Sequence, residues 1–164
     1  MFETRIDQTD LLKNLLTNTN ASNQLSVSYS AWAAVYTTGS EYLKKLVLDA
    51  ISEPSPTQKR DIEFAVARMG VTNPYFVARQ YVDVPAGGSL EALNFKAFPM
   101  LAIENEQQYH HACVAISLIN GGHMCLRSHV NSLQLANESA INIDISMRIA
   151  AVCHSLNILG RMNK

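Results

Sequence analysis

The strongest constraint on the fold is a break between two helical patterns near residue 121. An apolar run over residues 112–119 is followed by Asn120-Gly121-Gly122, and a second helical pattern begins directly after it. Asn-Gly and Gly-Gly pairs mark turns, because these residues adopt backbone conformations that interrupt a helix. The segment therefore predicts two consecutive helices that fold back on each other as a hairpin.

The rest of the chain also predicts an all-α fold. Gly and Pro punctuate the sequence, and the alternation of β-branched residues that is typical of strands is scarce. Ser55 or Thr57 can cap a helix that carries Pro56 in its first turn. Asn73-Pro74 predicts the start of another element, because a residue before Pro resists the α conformation. The predicted helices span roughly 8–17, 27–37, 40–51, 56–69, 73–81, 88–103, 105–119, 123–136 and 139–157.

Length, charge and cysteine content restrict the class of protein. With 164 residues, 48% of them hydrophobic and 16% charged, we expect one domain with a buried core and an apolar face shared between subunits. A net charge of −1 argues against nucleic acid as a partner. The run over 112–119 is too short to cross a bilayer, and residues 1–10 lack the apolar core of a secretory signal. Three cysteines, an odd number, indicate free thiols in the reducing cytoplasm.

Cys125 and His129 are the first candidate functional residues. Side chains four residues apart share a helix face, so these two can meet without help from distant sequence. A Cys in the first turn of a helix is near unpaired backbone N–H groups, which favour a thiolate. Thiolate beside imidazole is the chemistry of a reactive cysteine. A small buried Cys with a hydrogen-bonded His is the alternative, and the spacing alone favours that alternative.

Residues 106–135 resemble the core segment of the alkyl hydroperoxidase D (AhpD) family, part of the carboxymuconolactone decarboxylase superfamily. That family carries a Glu, then Ile-Asn-Gly, then Cys-x-x-Cys-x-x-x-His. Here Ile-Asn-Gly stands at 119–121, the second Cys of the motif falls on Cys125, and the His falls on His129. The resemblance therefore points to the same two residues as the helix spacing.

The sequence departs from the family pattern at two positions. Gly122 stands where the family has its first Cys, and His110 stands where it has the Glu. Outside the motif, residues 67–76 are similar to the family segment Met-Gly-Met-Asn-Asn-x-Phe-Tyr, and looser similarity is found at 12–16 and 31–34. The resemblance thus extends over nearly the whole chain.

The resemblance implies a fold and an assembly. It implies a single AhpD-like domain over 1–164, built from two related helical halves at about 1–84 and 85–164, and assembled as a homotrimer. A weak internal repeat, in which residues 32–39 can be laid on 114–121, agrees with two halves. Chance can also produce a repeat of this length.

The resemblance also implies a chemistry. In the family a thiolate attacks a hydroperoxide or a disulfide, a second thiol resolves the intermediate, and a Glu–His relay moves protons. Cys125 inherits the attacking position and His129 the relay position, with His110 as a neutral base in place of the carboxylate. The implied partners are a peroxiredoxin and a lipoylated protein. No cofactor is implied.

The sulfur missing at Gly122 leaves several alternatives open. Cys113 can serve as the resolving thiol, although its expected offset of one to two turns from Cys125 strains the limit of about 7 Å between disulfide-bonded Cα atoms. A buried core thiol is the favoured interpretation of Cys113. The set His110, Cys113, Cys125 and His129 can also be interpreted as a zinc site. A scaffold without catalysis, binding a partner or small molecule, is the remaining alternative.

Two further expectations follow from the same segment. If the loop accommodates a side chain, Gly122→Cys is predicted to restore turnover that depends on a dithiol. His111 and His123 match no family position, so we expect them at the surface or at a partner contact.

Overall fold

The structure is a computed structural model that describes residues 2–162, and this part of the chain contains helices and no strand. The all-α prediction is therefore confirmed. None of the helices in the described range is long and apolar enough to span a membrane. The helices are α1 (Phe2–Thr17), α2 (Gln24–Thr38), α3 (Glu41–Leu48), α4 (Pro56–Ala78), α5 (Glu106–Asn120), α6 (His123–Leu135) and α7 (Ala140–Arg161), and two short 3-10 helices lie at Glu91–Leu93 and Phe98–Leu101.

Helices α2 and α5 form the centre of the molecule and pack against each other. Their contact is rich in small residues with no exposed surface, including Ala31 and Ala34 on α2 and Ala112 and Ala115 on α5. Small side chains allow two helix backbones to approach closely. Helices α4 and α7 pack against this central pair, so the elements that surround α5 are fixed by the main core.

The order of elements is similar in the two parts of the chain. Helices α2 and α5 both have 15 residues and end at a left-handed Gly, Gly39 with φ 61° and Gly121 with φ 69°. In each case a shorter helix follows, α3 or α6, and then a long one, α4 with 23 residues or α7 with 22. The repeated segments 32–39 and 114–121 are the C-terminal ends of the two central helices.

The predicted boundary at Asn73-Pro74 is wrong. Helix α4 continues through Pro74 and unites the predicted helices 56–69 and 73–81. Asn73 is 1% exposed and its amide donates to the Ser117 hydroxyl of α5 at 3.1 Å. Tertiary packing on both sides of Asn73 therefore overrides the local preference against helix before Pro. The start of α4 agrees with prediction, since Ser55 caps it in a complete capping box with Gln58.

The predicted helix at 88–103 is also wrong. This segment contains the two short 3-10 helices and is otherwise irregular. Leu101 is its one buried residue. A helix needs an apolar face against the core to be stable, and this segment has no such face.

Asp61 of α4 fixes the start of α5. Its carboxylate is completely buried and accepts hydrogen bonds from the backbone N–H groups of Glu104 and Asn105, both at 3.2 Å, and from the Tyr29 hydroxyl at 3.3 Å. The Asn105 side chain then caps α5 by accepting from the backbone N–H of Gln108 at 3.1 Å. The first turn of α5 is thereby held at a defined position relative to α4.

Candidate active site

A pocket of about 450 Å³ lies between α4, α5, α6 and the segment that precedes α5. This volume is typical of a site for a small organic molecule. Most of its walls are apolar, and they come from Met69, Phe76, Leu90, Phe95, Phe98 and Met124. The polar side chains at the pocket belong to Arg68, Thr72, Glu106, Tyr109, His110, Cys125, Ser128, His129 and Ser132.

Cys125 lies at the end of the first turn of α6. The helix begins at His123, and Gly122 is its N-cap residue, which has no side chain to satisfy the first N–H groups. Cys125 keeps 8% of its surface exposed and lines the pocket together with His129, one turn further along the same helix face. The sulfur is therefore reachable from the pocket and lies near the positive end of the helix dipole.

His110 and His129 form a direct pair between α5 and α6. Their Nδ1 atoms are 2.9 Å apart, so one ring donates an N–H to the other. Burial, followed by the charge of His110, lowers the pKa of His129 to about 3. Burial also lowers the pKa of His110, whose ring is stacked on Phe98 at an interplanar angle of 6°. Both rings are therefore neutral near pH 7, and each has one N–H donor and one acceptor nitrogen.

Glu106 is a site residue that the sequence reasoning missed. It lines the pocket one turn before His110, and its Oε1 atom is 3.7 Å from Nε2 of His110. The spacing of Glu106 and His110, four residues apart within a predicted helix, was a signal that could have identified the contact. A carboxylate thus reaches the histidine pair from a position different from that in the family pattern.

Cys113 lies beside the site but inside the core. It has no exposed surface, and its thiol is hydrogen-bonded to the Tyr109 hydroxyl. Burial raises the pKa of Cys113, and the nearby Cys125 raises it further. The two thiols are thus close enough to interact electrostatically, but all three cysteines are free. These features describe a buried core thiol that substrate in the pocket does not reach.

Asn73 occupies the space in which a Cys at position 122 would place its side chain. A Cβ atom added to Gly122 would lie 2.4 Å from Cγ of Asn73, which is far too close for two carbon atoms. Asn73 is held there by two hydrogen bonds: its amide donates to the Ser117 hydroxyl, and the Asn120 amide donates to Oδ1 of Asn73 at 3.2 Å. The loop therefore does not accommodate a side chain at Gly122, and the condition for the predicted gain from Gly122→Cys is not met.

The four Cys and His residues do not form a metal site. Among residues 2–162, no group of three or more His, Cys, Asp and Glu side chains converges as metal ligands do. The Cys113 thiol is hydrogen-bonded to the Tyr109 hydroxyl, and the Nδ1 atoms of His110 and His129 are hydrogen-bonded to each other.

The expectation of a surface position for His111 is wrong. His111 has no exposed surface, and its ring nitrogens contact the Ser146 hydroxyl at 2.8 Å and the Glu138 carboxylate at 3.0 Å. Burial lowers the pKa of His111, so the neutral ring joins α5 to α7 through hydrogen bonds. Consecutive residues of a helix are about 100° apart around its axis, so His110 and His111 face different neighbours, and the tertiary structure shows which of them enters the core. His123 is exposed, as expected.

No family model matches the sequence, and no curated protein is significantly similar to it. Any inference of function therefore rests on the pocket and on the short segments that resemble the AhpD family.

Because only Cys125 among the three thiols lines the pocket, we predict that they differ strongly in reactivity. Cys125 should be alkylated by iodoacetamide at neutral pH faster than Cys113 or Cys153 by roughly ten-fold or more. Cys113 and Cys153 have no exposed surface, and burial raises the pKa of Cys153 to about 12. Peptide mapping after limited labelling measures the three rates. Equal labelling of the three thiols in the folded protein would contradict the prediction.

Proposed function

We propose that this chain is an AhpD-type antioxidant protein in which Cys125 attacks a hydroperoxide or a disulfide. The proposal depends on one observation: Cys125, His129 and His110 line a single pocket, with Cys125 in the first turn of a helix. His129 and His110 are proposed as the relay that moves the proton of the thiol. The resemblance at residues 119–129 supports the same assignment.

In the proposed reaction with a hydroperoxide, the proton of the thiol is first removed and later given to the leaving group. His129 takes the proton from the Cys125 thiol, and the thiolate then attacks the terminal oxygen of the substrate. The O–O bond breaks, the sulfur becomes a sulfenic acid, and the leaving alkoxide takes the proton back from His129 to form an alcohol. Sulfur is oxidised and the peroxide is reduced, so the step needs no other reactant.

The second half of the proposed cycle needs an external thiol. Gly122 provides no sulfur, and Cys113 is buried behind Tyr109, so the sulfenic acid has no ready partner within the site. An incoming thiol forms a mixed disulfide with Cys125 and releases water, and a second thiol then restores the free Cys125. By analogy with the family, the proposed redox partners are a peroxiredoxin and a lipoylated protein, and the proposed assembly is a cytoplasmic homotrimer.

Peroxide consumption by Cys125→Ser tests the proposal. Wild-type protein should consume an organic hydroperoxide continuously when a small thiol is added, and about one equivalent per chain when it is not. Cys125→Ser should abolish both, because serine is not oxidised by peroxide. Cys153→Ser is the matched control, since this buried thiol in α7 is not among the pocket residues.

A second candidate function is non-catalytic binding of an apolar small molecule. The mostly apolar walls of the pocket favour this alternative. The same experiment separates the two. If wild type neither consumes peroxide nor reduces a disulfide, and Cys125→Ser changes nothing, the catalytic proposal is wrong and the non-catalytic alternative is favoured.

A further inference from the structure

We infer that Glu106 is a positioning residue that fixes the proton arrangement of the His110–His129 pair, and this inference rests on the proposed function. Glu106, His110 and His129 form a chain of contacts, with 3.7 Å between Glu106 Oε1 and His110 Nε2 and 2.9 Å between the two Nδ1 atoms. All three side chains line the pocket that contains Cys125. The chain of contacts therefore joins an exposed carboxylate to the histidine pair in this pocket.

The chemistry of the three groups decides where the protons lie. An ionised carboxylate only accepts hydrogen bonds, so it favours the form of His110 that carries its proton on Nε2. Nδ1 of that ring is then a bare acceptor, and the close Nδ1 of His129 must be the donor. A neutral His129 with its proton on Nδ1 has an unprotonated Nε2. In the proposed reaction, that nitrogen is the base that takes the proton from Cys125, which lines the same pocket.

The charge of Glu106 also assists the proton transfer. When His129 takes the thiol proton, the ring becomes positive and shares its Nδ1 proton with His110. The Glu106 carboxylate stabilises that positive charge through His110, much as a carboxylate orients and stabilises the base in other His-dependent sites. The separation of 3.7 Å is longer than a normal hydrogen bond, and such contacts often shorten when a ligand binds.

No other acid around His110 is placed for this role. The titratable and charged groups around it are Glu106, Tyr109 and His111 on α5, Arg68 on α4, and Cys125 and His129 on α6, while Phe98 covers one face of its ring. Of these, Glu106 is the carboxylate. The ring of His111 is instead hydrogen-bonded to Glu138 and Ser146, on a different side of α5. The proton arrangement of the pair therefore depends on Glu106.

Nitrogen-15 spectra of the histidine rings at pH 7 test the inference without requiring turnover. Wild type should show His110 protonated on Nε2 and His129 on Nδ1, with the five histidines assigned from single His→Gln variants. Glu106→Ala should let His110 populate the Nδ1–H form. Glu106→Gln keeps an acceptor oxygen and should retain the wild-type form. Glu104→Gln, which removes the same charge two residues earlier, is the control and should change nothing.

The rate of Cys125 alkylation provides the functional readout. Because the Glu106 side chain is 68% exposed, the expected effect is small: Glu106→Ala should slow alkylation at pH 7 by about two- to five-fold and shift the pH profile upward. A wild-type His110 protonated on Nδ1, an unchanged spectrum in Glu106→Ala, or an unchanged alkylation rate would each overturn the inference. The predicted spectra and rates in a protein that consumes no peroxide would instead refute the proposed function and leave this assignment standing.

Discussion

Gly122→Cys is expected to destabilise the protein by about 1–3 kcal/mol rather than to create a working pair of thiols. The added Cβ would lie 2.4 Å from Cγ and Nδ2 of Asn73 and 2.7 Å from its Cβ. Asn73 cannot easily move away, because it is 1% exposed and hydrogen-bonded to Ser117 and Asn120. Urea unfolding followed by circular dichroism measures the loss of unfolding free energy.

Gly70→Cys is the matched control for this change. A Cβ at Gly70 meets nothing within 4 Å, and this residue lies in the interior of α4 on an exposed face. The same substitution should therefore be neutral or slightly stabilising there, since Gly is a poor helix residue. If Gly122→Cys proves as stable as Gly70→Cys, then the steric role of Asn73 is refuted.

A double-mutant cycle with Asn73 identifies the source of the clash. Asn73→Gly should relieve most of the loss caused by Gly122→Cys, while Asn73→Ala should relieve less, because the Asn73 Cβ is itself 2.7 Å from the added atom. We expect a coupling energy of about 1–3 kcal/mol between positions 73 and 122. In the relieved double variant, turnover with a dithiol should exceed that of wild type, since a second sulfur then lies one turn from Cys125.

Asp61→Ala is expected to lower the free energy of unfolding by about 3 kcal/mol. The substitution leaves the backbone N–H groups of Glu104 and Asn105 and the Tyr29 hydroxyl without their acceptor in a buried region. Each buried donor without a partner costs roughly 1–3 kcal/mol, and relaxation or entry of water recovers part of the total. Thermal and urea unfolding measure the change.

Two variants make the Asp61 prediction specific. Asp61→Asn retains one acceptor oxygen and should cost less than Asp61→Ala. Asp83→Ala removes an exposed carboxylate from the irregular segment after α4 and should change stability by less than about 0.5 kcal/mol. Since Asp61 holds the start of α5, the Asp61→Ala protein should also lose the preference of iodoacetamide for Cys125 over the buried Cys113 and Cys153. Wild-type stability in Asp61→Ala would show that the start of α5 is held by other contacts.

Several elements could be predicted from the sequence because their signals are local. The Gly121 break, the Ser55 capping box and the position of Cys125 in a first helical turn depend on residues within four positions of each other. Such signals act through backbone conformation and short-range hydrogen bonds, so they can be interpreted without knowledge of distant contacts. The helical class of the described chain followed from the same kind of signal.

The surroundings of the candidate site depend on tertiary packing and could not be predicted from local patterns. Helix α4 continues through Pro74 because Asn73 is buried against α5, and that same side chain fills the space beside Gly122. The burial of His111, in contrast to His110, depends on which side of α5 faces α7. These features arise from residues that are 35 to 49 positions apart in the chain. Side-chain packing at that separation is set by the whole core, and no local pattern encodes it.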